Sequence, residues 1–442
     1  MGFETLGLAK PLLKVLERQG LVKPTPIQQQ SIPLILEGRD LVGLAQTGTG
    51  KTAAFSLPVL TSLYDQERTG KFRPVQMLVL SPTRELAAQV EDVIKGYASA
   101  VNLKSVAIFG GVPFFRQAQA LRKGADIVVG TPGRIEDHVA QKTLDLSRVN
   151  YLVLDEADQM LDIGFLPAIR RIFALLPKKK QTLLFSATMP KEIKKLSSDY
   201  LNNPTEVAVA SIAKPADKIT QQVLFLSASE KLNALRDLIT NRKGKRILVF
   251  SRTKHGADKV VKSLNNGGLY LDAIHGNKSQ GQRQRALDNF KRGKCLVLIA
   301  TDIAARGIDV PNVELVVNYD LPDVPETYVH RIGRTARAGA SGLAISFCAA
   351  AEQKNLKAIE KLIKMDITNV SLDWKVVSRP ILSNEDPGKR IRKKGGGGFV
   401  GKSRSETKFE ASRKSKVQRS RTRRSKKPSN VHRSGEGSLQ KV

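Results

Sequence analysis

The chain has 442 residues, 41% of them hydrophobic, and its 73 Lys and Arg against 41 Asp and Glu give a net charge of +32. This length allows roughly two or three domains with hydrophobic cores, and the charge indicates a polyanionic partner. The sequence shows no apolar run of the ~18 residues that a membrane span needs, no signal-peptide pattern and no myristoylation pattern. Cys295 and Cys348 stand in apolar runs, which favours core positions over a disulfide or metal site and indicates a cytoplasmic protein.

The first half of the chain alternates short apolar runs with helical stretches. This alternation predicts an α/β domain over residues 1–209, with a parallel sheet that carries helices on both faces. The predicted strands are 41–45, 77–82, 105–110, 126–130, 151–155, 181–186 and 206–209.

Residues 210–219 have little apolar pattern and are expected to form a linker. The alternation then resumes and predicts a second α/β domain over residues 220–370, closed by a helix near 352–364. Its predicted strands are 221–226, 246–251, 270–274, 295–300, 315–319 and 342–348. Because this half has no phosphate loop of its own, the sequence suggests a nucleotide site shared between two domains.

The run after the first predicted strand has the pattern of a phosphate-binding loop. Residues 45–52 read Ala-Gln-Thr-Gly-Thr-Gly-Lys-Thr, with alanine in place of the first glycine of the strict pattern. Gly48 and Gly50 allow backbone N–H groups to turn toward phosphate oxygens. Lys51 can reach the β- and γ-phosphates, and the Thr52 hydroxyl can ligate Mg²⁺. The alternative is a glycine-rich turn that caps a helix.

Three acidic residues follow the predicted strand at 151–155. Asp155, Glu156 and Asp158 would emerge at the carboxyl end of that strand, where open α/β sheets bind their ligands. One carboxylate there can hold a hydrated Mg²⁺, and a second can orient or deprotonate a water. Acidic residues at strand ends are also common as helix N-caps, so the pattern alone leaves both interpretations open.

Two arginines stand close together in the second half. Arg334 and Arg337 are three residues apart, beside His330, and would share one face of a helical turn. Two guanidinium groups on one face suit a γ-phosphate and the charge that develops on it. The alternative is a pair of surface arginines that bridge to carboxylates.

The end of the chain is strongly basic. From 387 to 442 it carries 19 Lys and Arg against 3 Asp and Glu, a net charge of +16. Residues 371–442 are therefore expected to be a basic, low-complexity, disordered tail that contacts a polyanion. The alternative is a solvated tail that only keeps the protein soluble.

Taken in order, these motifs resemble the DEAD-box RNA helicases, superfamily 2 enzymes with two RecA-like domains, over residues 1–370. The matching segments are 24–28 (Q motif), 45–52 (motif I), 82–86 (motif Ia), 110–111, 131–134 (motif Ib), 155–158 (the Asp-Glu-Ala-Asp box), 186–188 (motif III), 248–253 (motif IV), 280–283 (the QxxR element), 300–309 (motif V) and 330–339 (motif VI). The short N-terminal segment and the basic tail resemble the bacterial RhlE-type subgroup.

The resemblance implies an ATP- and Mg²⁺-dependent site. The implied catalytic residues are Lys51, Asp155, Glu156, Arg334 and Arg337, with Glu156 as the base and the arginines as fingers from the second domain. Thr52 and Asp155 would ligate Mg²⁺. The implied ATP contacts are Gln28 at the adenine, Asp309 at the ribose, and Thr47, Gly48, Thr49, Gly50, Lys51 and Thr52 at the phosphates. From the sequence alone, Gln28 could equally cap a helix that starts after Pro26.

The resemblance also implies an RNA track along the strand ends. Its residues would be Thr83, Arg84, Gly111, Thr131, Gly133 and Arg134 in the first domain, and Thr253, Arg283, Thr301 and Gly307 in the second. Such groups bind phosphate and sugar and do not read bases, so binding would be independent of RNA sequence. Asp158, Ser186, Thr188 and His330 would couple the nucleotide site to RNA, with Asp158 as the partner of Ser186 and Thr188.

The sequence thus predicts an ATP-dependent RNA helicase that unwinds or remodels short RNA duplexes or RNA–protein complexes through closure of two domains. Ribosomal or RNA-decay assemblies are candidate partners. Two other classes stay open: an ATP-gated RNA clamp with little unwinding, and a DNA-dependent translocase, because no single residue reads the 2′-hydroxyl.

Overall fold

The computed structural model describes residues 2–46, 48–65, 73–209, 219–266, 268–305, 313–336 and 341–378. They form two seven-stranded sheets in which all pairings of named strands are parallel. The first sheet contains β1 (Leu41–Leu44), β2 (Met77–Leu80), β3 (Ser105–Ile108), β4 (Ile127–Gly130), β5 (Tyr151–Leu154), β6 (Gln181–Ser186) and β7 (Thr205–Ala208). The second contains β8 (Ile219–Phe225), β9 (Ile247–Phe250), β10 (Leu271–Ile274), β11 (Val297–Ala300), β12 (Leu315–Asn318), β13 (Gly342–Cys348) and β14 (Thr368–Val370).

Helices connect these strands. The first domain contains α1 (Lys10–Arg18), α2 (Pro26–Leu36), α3 (Lys51–Tyr64), α4 (Arg84–Ala98), α5 (Phe114–Arg122), α6 (Pro132–Ala140), α7 (Ala157–Asp162), α8 (Leu166–Leu175) and α9 (Lys191–Tyr200). The second contains α10 (Lys231–Asn241), α11 (Lys254–Asn265), α12 (Gln280–Lys291), α13 (Asp302–Ala305), α14 (Pro325–Ile332) and α15 (Gln353–Ile363). Short 3₁₀ turns cover Phe3–Leu6, Ser99–Val101 and Ala350–Glu352. The predicted α/β architecture is confirmed.

The two sheets repeat one topology. The first has the order β3-β4-β2-β5-β6-β1-β7, and the second has β10-β11-β9-β12-β13-β8-β14. Adding seven to each strand number of the first order gives the second, so every strand end in one domain has a counterpart in the other.

The central strands are continuous apolar runs because both faces of each sheet are covered. In β5 and β6, Val153, Leu183 and Phe185 pack into one core cluster, whereas Leu152 and Leu184 pack into the cluster on the opposite face. Burying one such side chain contributes about 1.5–3 kcal/mol. This packing fixes β5, β6 and β1 side by side, so their carboxyl ends meet at one edge of the sheet.

The ends of the second domain differ from the prediction. Ile219, expected as the last linker residue, is the first residue of β8, where its side chain is buried. The three-residue strand β14 was not predicted because it is too short to show periodicity. Residues 371–378 belong to the fold: Val376 bridges back to Val370, and Trp374 packs against the core.

The remainder of the predicted linker and tail, residues 210–218 and 379–442, lies outside the described residues. Within the described ranges, no helix combines the length and the apolar character of a membrane-spanning segment.

Candidate active site

The predicted phosphate loop connects β1 to α3, as the sequence requires. Gly50 has φ +88°, and a Cβ at this position would lie 2.4 Å from the side-chain nitrogen of Gln28, so glycine is needed for both conformation and space. Lys51 is buried and donates from Nζ to the Ala45 carbonyl at 3.0 Å. Thr49 Oγ1 donates to the Gln46 carbonyl at 2.7 Å. The Lys51 side chain therefore spans the loop from its end back to its first residue.

Gln28 joins α2 to this loop. Its Oε1 accepts from the Thr25 backbone N–H at 2.8 Å, which is the helix-capping role that the sequence left open. Its Nε2 donates to the Gly50 carbonyl at 3.1 Å. Gln28 thus caps its helix and also contacts the phosphate loop, while its adenine contact stays a prediction. Thr47 lies outside the described residues, and Gly48 has φ +85°.

Asp155 is the first residue after β5 and lies at the carboxyl edge beside the loop. It is only 2% exposed, and its Oδ1 atom has no hydrogen-bond partner among the described residues. Burial raises the pKa of Asp155 to about 7, and the nearby Lys51 ammonium opposes that shift. A buried carboxylate oxygen without a partner is costly, so the site is suited to a ligand that supplies positive charge.

That donor set fits Mg²⁺. Thr52 follows Lys51 on α3, and its hydroxyl and the Asp155 carboxylate are the hard oxygen ligands that Mg²⁺ prefers. Among the described residues, no group of three His, Cys, Asp or Glu could hold a metal by itself. Mg²⁺ commonly uses one or two carboxylates and completes its shell with phosphates and waters.

Glu156 has an unusual backbone conformation. Its φ of +53° and ψ of +53° lie in the left-handed region, which costs of order 1–3 kcal/mol for a residue that is not glycine. Its Oε2 accepts from Nε2 of Gln159 at 2.6 Å, one turn along α7. The sequence prediction missed Gln159, although its spacing from Glu156 was visible. The pair holds the Glu156 carboxylate in one orientation.

Asp158 connects the acidic strand end to the segment after β6. Its Oδ2 accepts from the backbone N–H and Oγ1 of Thr188, both at 3.0 Å, and from the Ala187 N–H at 3.2 Å. Ser186 Oγ donates to the Thr188 carbonyl at 2.7 Å. The structure thus pairs Asp158 directly with Thr188 and places Ser186 one contact further away.

The arginines of the second domain divide into two groups. Arg334 is buried, and its Nε donates to the His330 carbonyl at 3.3 Å. Arg331, which the sequence prediction left without a role, is fully buried and makes two bonds to Asp302, at 2.6 and 2.8 Å. Arg331 also donates to Asn318 and to the Asp320 carbonyl, so it anchors α14. Arg337, Asp309 and Gly307 lie outside the described residues.

The predicted RNA residues of the first domain lie at the starts of α4 and α6 and in the loop between β3 and α5. Thr83 caps α4 by accepting from the Leu86 N–H, and Thr131 stands at the start of α6 with Gly133 open to space. The Arg84 guanidinium lies against the backbone at Gly111, where φ is +81° and a Cβ would lie 2.3 Å from Nη1. Only glycine allows this contact.

A buried cluster supports Arg134. Its Nε donates to Gln117 Oε1 at 3.0 Å, and its guanidinium lies 5.3 Å from the centre of the Phe114 ring. His138 stacks on Phe114 at 4.0 Å and contacts the same Gln117 oxygen at 3.2 Å. Burial lowers the pKa of His138 to about 4, and Arg134 adds to the shift. The sequence prediction missed this cluster because its members come from two helices.

In the second domain, Thr253 caps α11 and the Thr301 carbonyl accepts from the Ala305 N–H at the start of α13. Arg283 contacts the first domain. Its Nη2 donates to Glu85 at 2.7 Å, and Gln280 donates to the same carboxylate at 3.1 Å. This ion pair is buried, and the RNA contact of Arg283 stays a prediction.

Comparisons with known proteins agree with this geometry. The profile of the DEAD/DEAH box helicase family matches residues 25–196, and that of the helicase conserved C-terminal domain matches residues 230–339. The chain is 43% identical over 362 residues to the ATP-dependent RNA helicase CshA of Listeria monocytogenes, covering 82% of this chain and 69% of that protein. It is 41% identical to the DEAD-box ATP-dependent RNA helicase CshA of Bacillus subtilis, covering 82% and 72%.

Solved structures show the same fold. S. cerevisiae Dbp5 bound to RNA and ADP BeF3 is 33% identical, with a TM-score of 0.74, and the match covers 84% of this chain and 96% of that one. Mss116p bound to ssRNA and AMP-PNP is 29% identical, with a TM-score of 0.74, and the match covers 83% and 78%. Both sheets of this chain therefore correspond to the RecA-like domains of such proteins.

Proposed function

Because the chain belongs to the DEAD-box family of ATP-dependent RNA helicases, we propose that ATP and RNA together close its two domains and that hydrolysis reopens them. Closure bends one strand away from a short duplex or from a bound protein. One observation carries this proposal. Lys51, Asp155 and Glu156 are buried at the carboxyl edge of the first sheet, and Asp158 links that edge to Thr188.

On the ATP side, Lys51 binds the β- and γ-phosphates and Gln28 binds the adenine. Thr52 and Asp155 would hold Mg²⁺, which neutralises charge on the phosphates. Glu156, held by Gln159, orients the attacking water and accepts its proton. The remaining predicted contacts, Thr47 at the phosphates and Asp309 at the ribose, belong to the same proposal.

Hydrolysis requires positive charge from the second domain. Arg334 and Arg337 supply it as arginine fingers, a contribution typically worth 10³–10⁵ in rate. His330, whose carbonyl accepts from Arg334, helps to hold that finger. The chain is therefore expected to hydrolyse ATP slowly until RNA brings the two domains together.

RNA is gripped by its backbone. Thr83, Arg84, Gly111, Thr131, Gly133 and Arg134 bind it in the first domain, and Thr253, Arg283, Thr301 and Gly307 bind it in the second. These groups suit phosphate and sugar oxygens, so the grip is independent of sequence. Asp158, Thr188 and Ser186 relay the state of the nucleotide edge to this track.

The basic residues 387–442 tether the core to structured RNA, and their charge supports a salt-dependent contact. A cytoplasmic location, ribosomal or RNA-decay assemblies as partners, and the RhlE-type subgroup belong to the same proposal. The subgroup rests on the basic tail, whereas the bacterial relatives described above are named CshA.

The test compares ATP hydrolysis with single-stranded RNA and single-stranded DNA of equal length, followed by displacement of a short duplex strand. We expect strong stimulation by RNA alone and ATP-dependent displacement. Equal stimulation by DNA would instead indicate a DNA-dependent translocase. RNA stimulation without displacement would indicate an RNA clamp.

The tail is tested by removing residues 387–442. We expect weaker RNA binding and a shallower dependence of log affinity on log salt, because each lost phosphate contact lowers that slope by about 0.7 for single strands. Maximal ATP turnover at saturating RNA should be retained. Unchanged RNA affinity and salt slope would rule out the tether.

A further inference from the structure

The second domain has a lysine at the position that Lys51 occupies in the first. Lys51 is the first residue of α3, the helix after β1, and Lys231 is the first residue of α10, the helix after β8. Strand β8 has the place in its sheet that β1 has in the other. Two corresponding lysines therefore lie at two corresponding carboxyl edges.

Lys231 is fully occupied by groups of its own domain. It is 4% exposed, and its Nζ donates to the Tyr319 carbonyl at 2.7 Å, to Asp320 Oδ1 at 3.1 Å and to Glu352 Oε2 at 2.7 Å. An ammonium group has three N–H donors, and these three acceptors use all of them. No donor of Lys231 is left for a phosphate, so this edge does not repeat the ATP site.

The two carboxylates extend the network to the end of β9. Asp320 Oδ2 accepts from the Arg252 backbone N–H at 2.9 Å and from Ser251 Oγ at 3.2 Å. Glu352 Oε1 accepts from the Arg252 guanidinium at 3.0 Å. We call Lys231, Asp320, Glu352 and Arg252 the charged brace. It joins the segments after four neighbouring strands of the second sheet, β9, β12, β13 and β8.

The brace holds the residues directly before Thr253, whose hydroxyl accepts from the Gly256 N–H at 3.0 Å to start α11. Lys231 and Glu352 are buried, Asp320 is partly buried and Arg252 is exposed. A polar network whose buried members are satisfied is rigid, because each bond restricts the next. The anchor of α14 meets the brace at the backbone carbonyl of Asp320, whereas the other bonds of Arg331 go to the side chains of Asp302 and Asn318. Loss of the Asp320 or Glu352 carboxylate would therefore shift the segment around Thr253, whereas α14, which carries Arg331, would stay anchored.

We propose that Lys231, Asp320 and Glu352 are positioning residues that set Thr253 and the start of α11 against the RNA backbone. The domain thus uses its counterpart of the phosphate-binding lysine to shape the RNA track. This inference rests on the RNA contact of Thr253 given under the proposed function.

The test measures RNA-stimulated ATP hydrolysis of Glu352→Gln and Asp320→Asn across a range of RNA concentrations. We expect the RNA concentration for half-maximal stimulation to rise roughly tenfold, the effect of losing one charge-assisted hydrogen bond. The maximal rate at saturating RNA and the KM for ATP should stay within about twofold. A matched control is Glu314→Gln, which removes the exposed partner of Lys245 in the same domain and should change nothing.

A general loss of stability would lower the maximal rate and the RNA response together, and that result would overturn the proposal. If Asp320→Asn does not fold, Ser251→Ala removes only the 3.2 Å bond to Asp320 and should give a smaller shift in the same direction. No shift in Ser251→Ala and none in Glu352→Gln would also overturn it.

Thr253→Val separates this proposal from the one on which it rests. If Thr253→Val raises the half-saturating RNA concentration and Glu352→Gln does not, the brace proposal fails and the RNA contact stands. If Glu352→Gln raises it and Thr253→Val does not, the brace does not act through Thr253, and the proposal fails as stated. A rise in both, of similar size, supports it.

Discussion

The carboxyl edges of the two sheets are built on one topology and differ in their charge balance. In the first, within the described ranges, Lys51 donates to the Ala45 carbonyl, and the buried Asp155 has an oxygen without a partner. In the second, Lys231 donates to one carbonyl and two carboxylates, and both carboxylates accept further bonds. One edge is electrostatically incomplete, and the other is complete.

This difference indicates why two sheet edges with the same topology can serve different functions. A buried charge without a partner is costly, so the fold keeps it where a ligand will complete it. A buried charge with its full set of partners shapes the backbone around it. The strained backbone of Glu156 adds a second energetic cost at the first edge.

The largest expected effect is a loss of ATP turnover caused by a substitution at the first edge. Glu156→Gln keeps the size of the side chain and removes the base, so kcat should fall by about 10²–10⁴ while ATP and RNA still bind. Turnover is measured at saturating ATP and RNA. Glu352→Gln at the second edge is the control and should keep a rate near that of the parent. A Glu156→Gln protein with normal turnover would refute the assignment of the base.

The next effect concerns stability at the second edge. Lys231→Met leaves the buried Glu352 and the partly buried Asp320 without their shared cation, which should cost about 3 kcal/mol. Trp374 is the single tryptophan of the chain and packs against the second domain, so its fluorescence reports the unfolding of that domain. The denaturant midpoint of this signal should fall clearly. Lys51→Met, the corresponding change in the first domain, should leave it in place.

A smaller effect depends on pH. Because burial raises the pKa of Asp155 to about 7 from an ordinary value near 3.8, the folded chain binds the proton more tightly than the unfolded chain. Stability from this group is present below pH 4 and is lost as pH rises through 7. Without nucleotide, Asp155→Asn should therefore raise the melting temperature relative to the parent more at pH 8 than at pH 5.

Asp320→Asn is the matched control for that experiment. It removes a carboxylate that has ionic and hydrogen-bond partners, so it should lower the melting temperature at pH 8. Calorimetry at both pH values checks the pair. A higher melting temperature at pH 8 for both variants, or for neither, would show that the two edges do not differ in charge balance.

The sequence predicted the parts of this account that depend on local pattern. The apolar runs located 13 strands, and the loop at 45–52 and the acidic residues after β5 appear at strand ends on one edge of the sheet. These features are readable because strand burial and glycine-rich turns have short periods in sequence. The strand order, which places β6 between β5 and β1, was not predicted.

The parts that escaped prediction depend on pairings between distant residues. Lys231 meets Glu352 across 121 positions, and Glu85 meets Arg283 across 198. Nothing in local periodicity selects such partners. For the same reason, the sequence did not distinguish Arg331, which bonds to Asp302 and anchors α14, from Arg334. The left-handed backbone of Glu156 also has no local signal, since glutamate rarely adopts it.

The most direct test of the two-edge account counts nucleotides. Calorimetric titration of the full chain with Mg²⁺ and ADP should give one bound nucleotide per chain, with binding abolished by Lys51→Met and retained by Glu352→Gln. Two nucleotides per chain, or one that still binds the Lys51→Met protein, would contradict the claim that only the first edge is built to hold nucleotide.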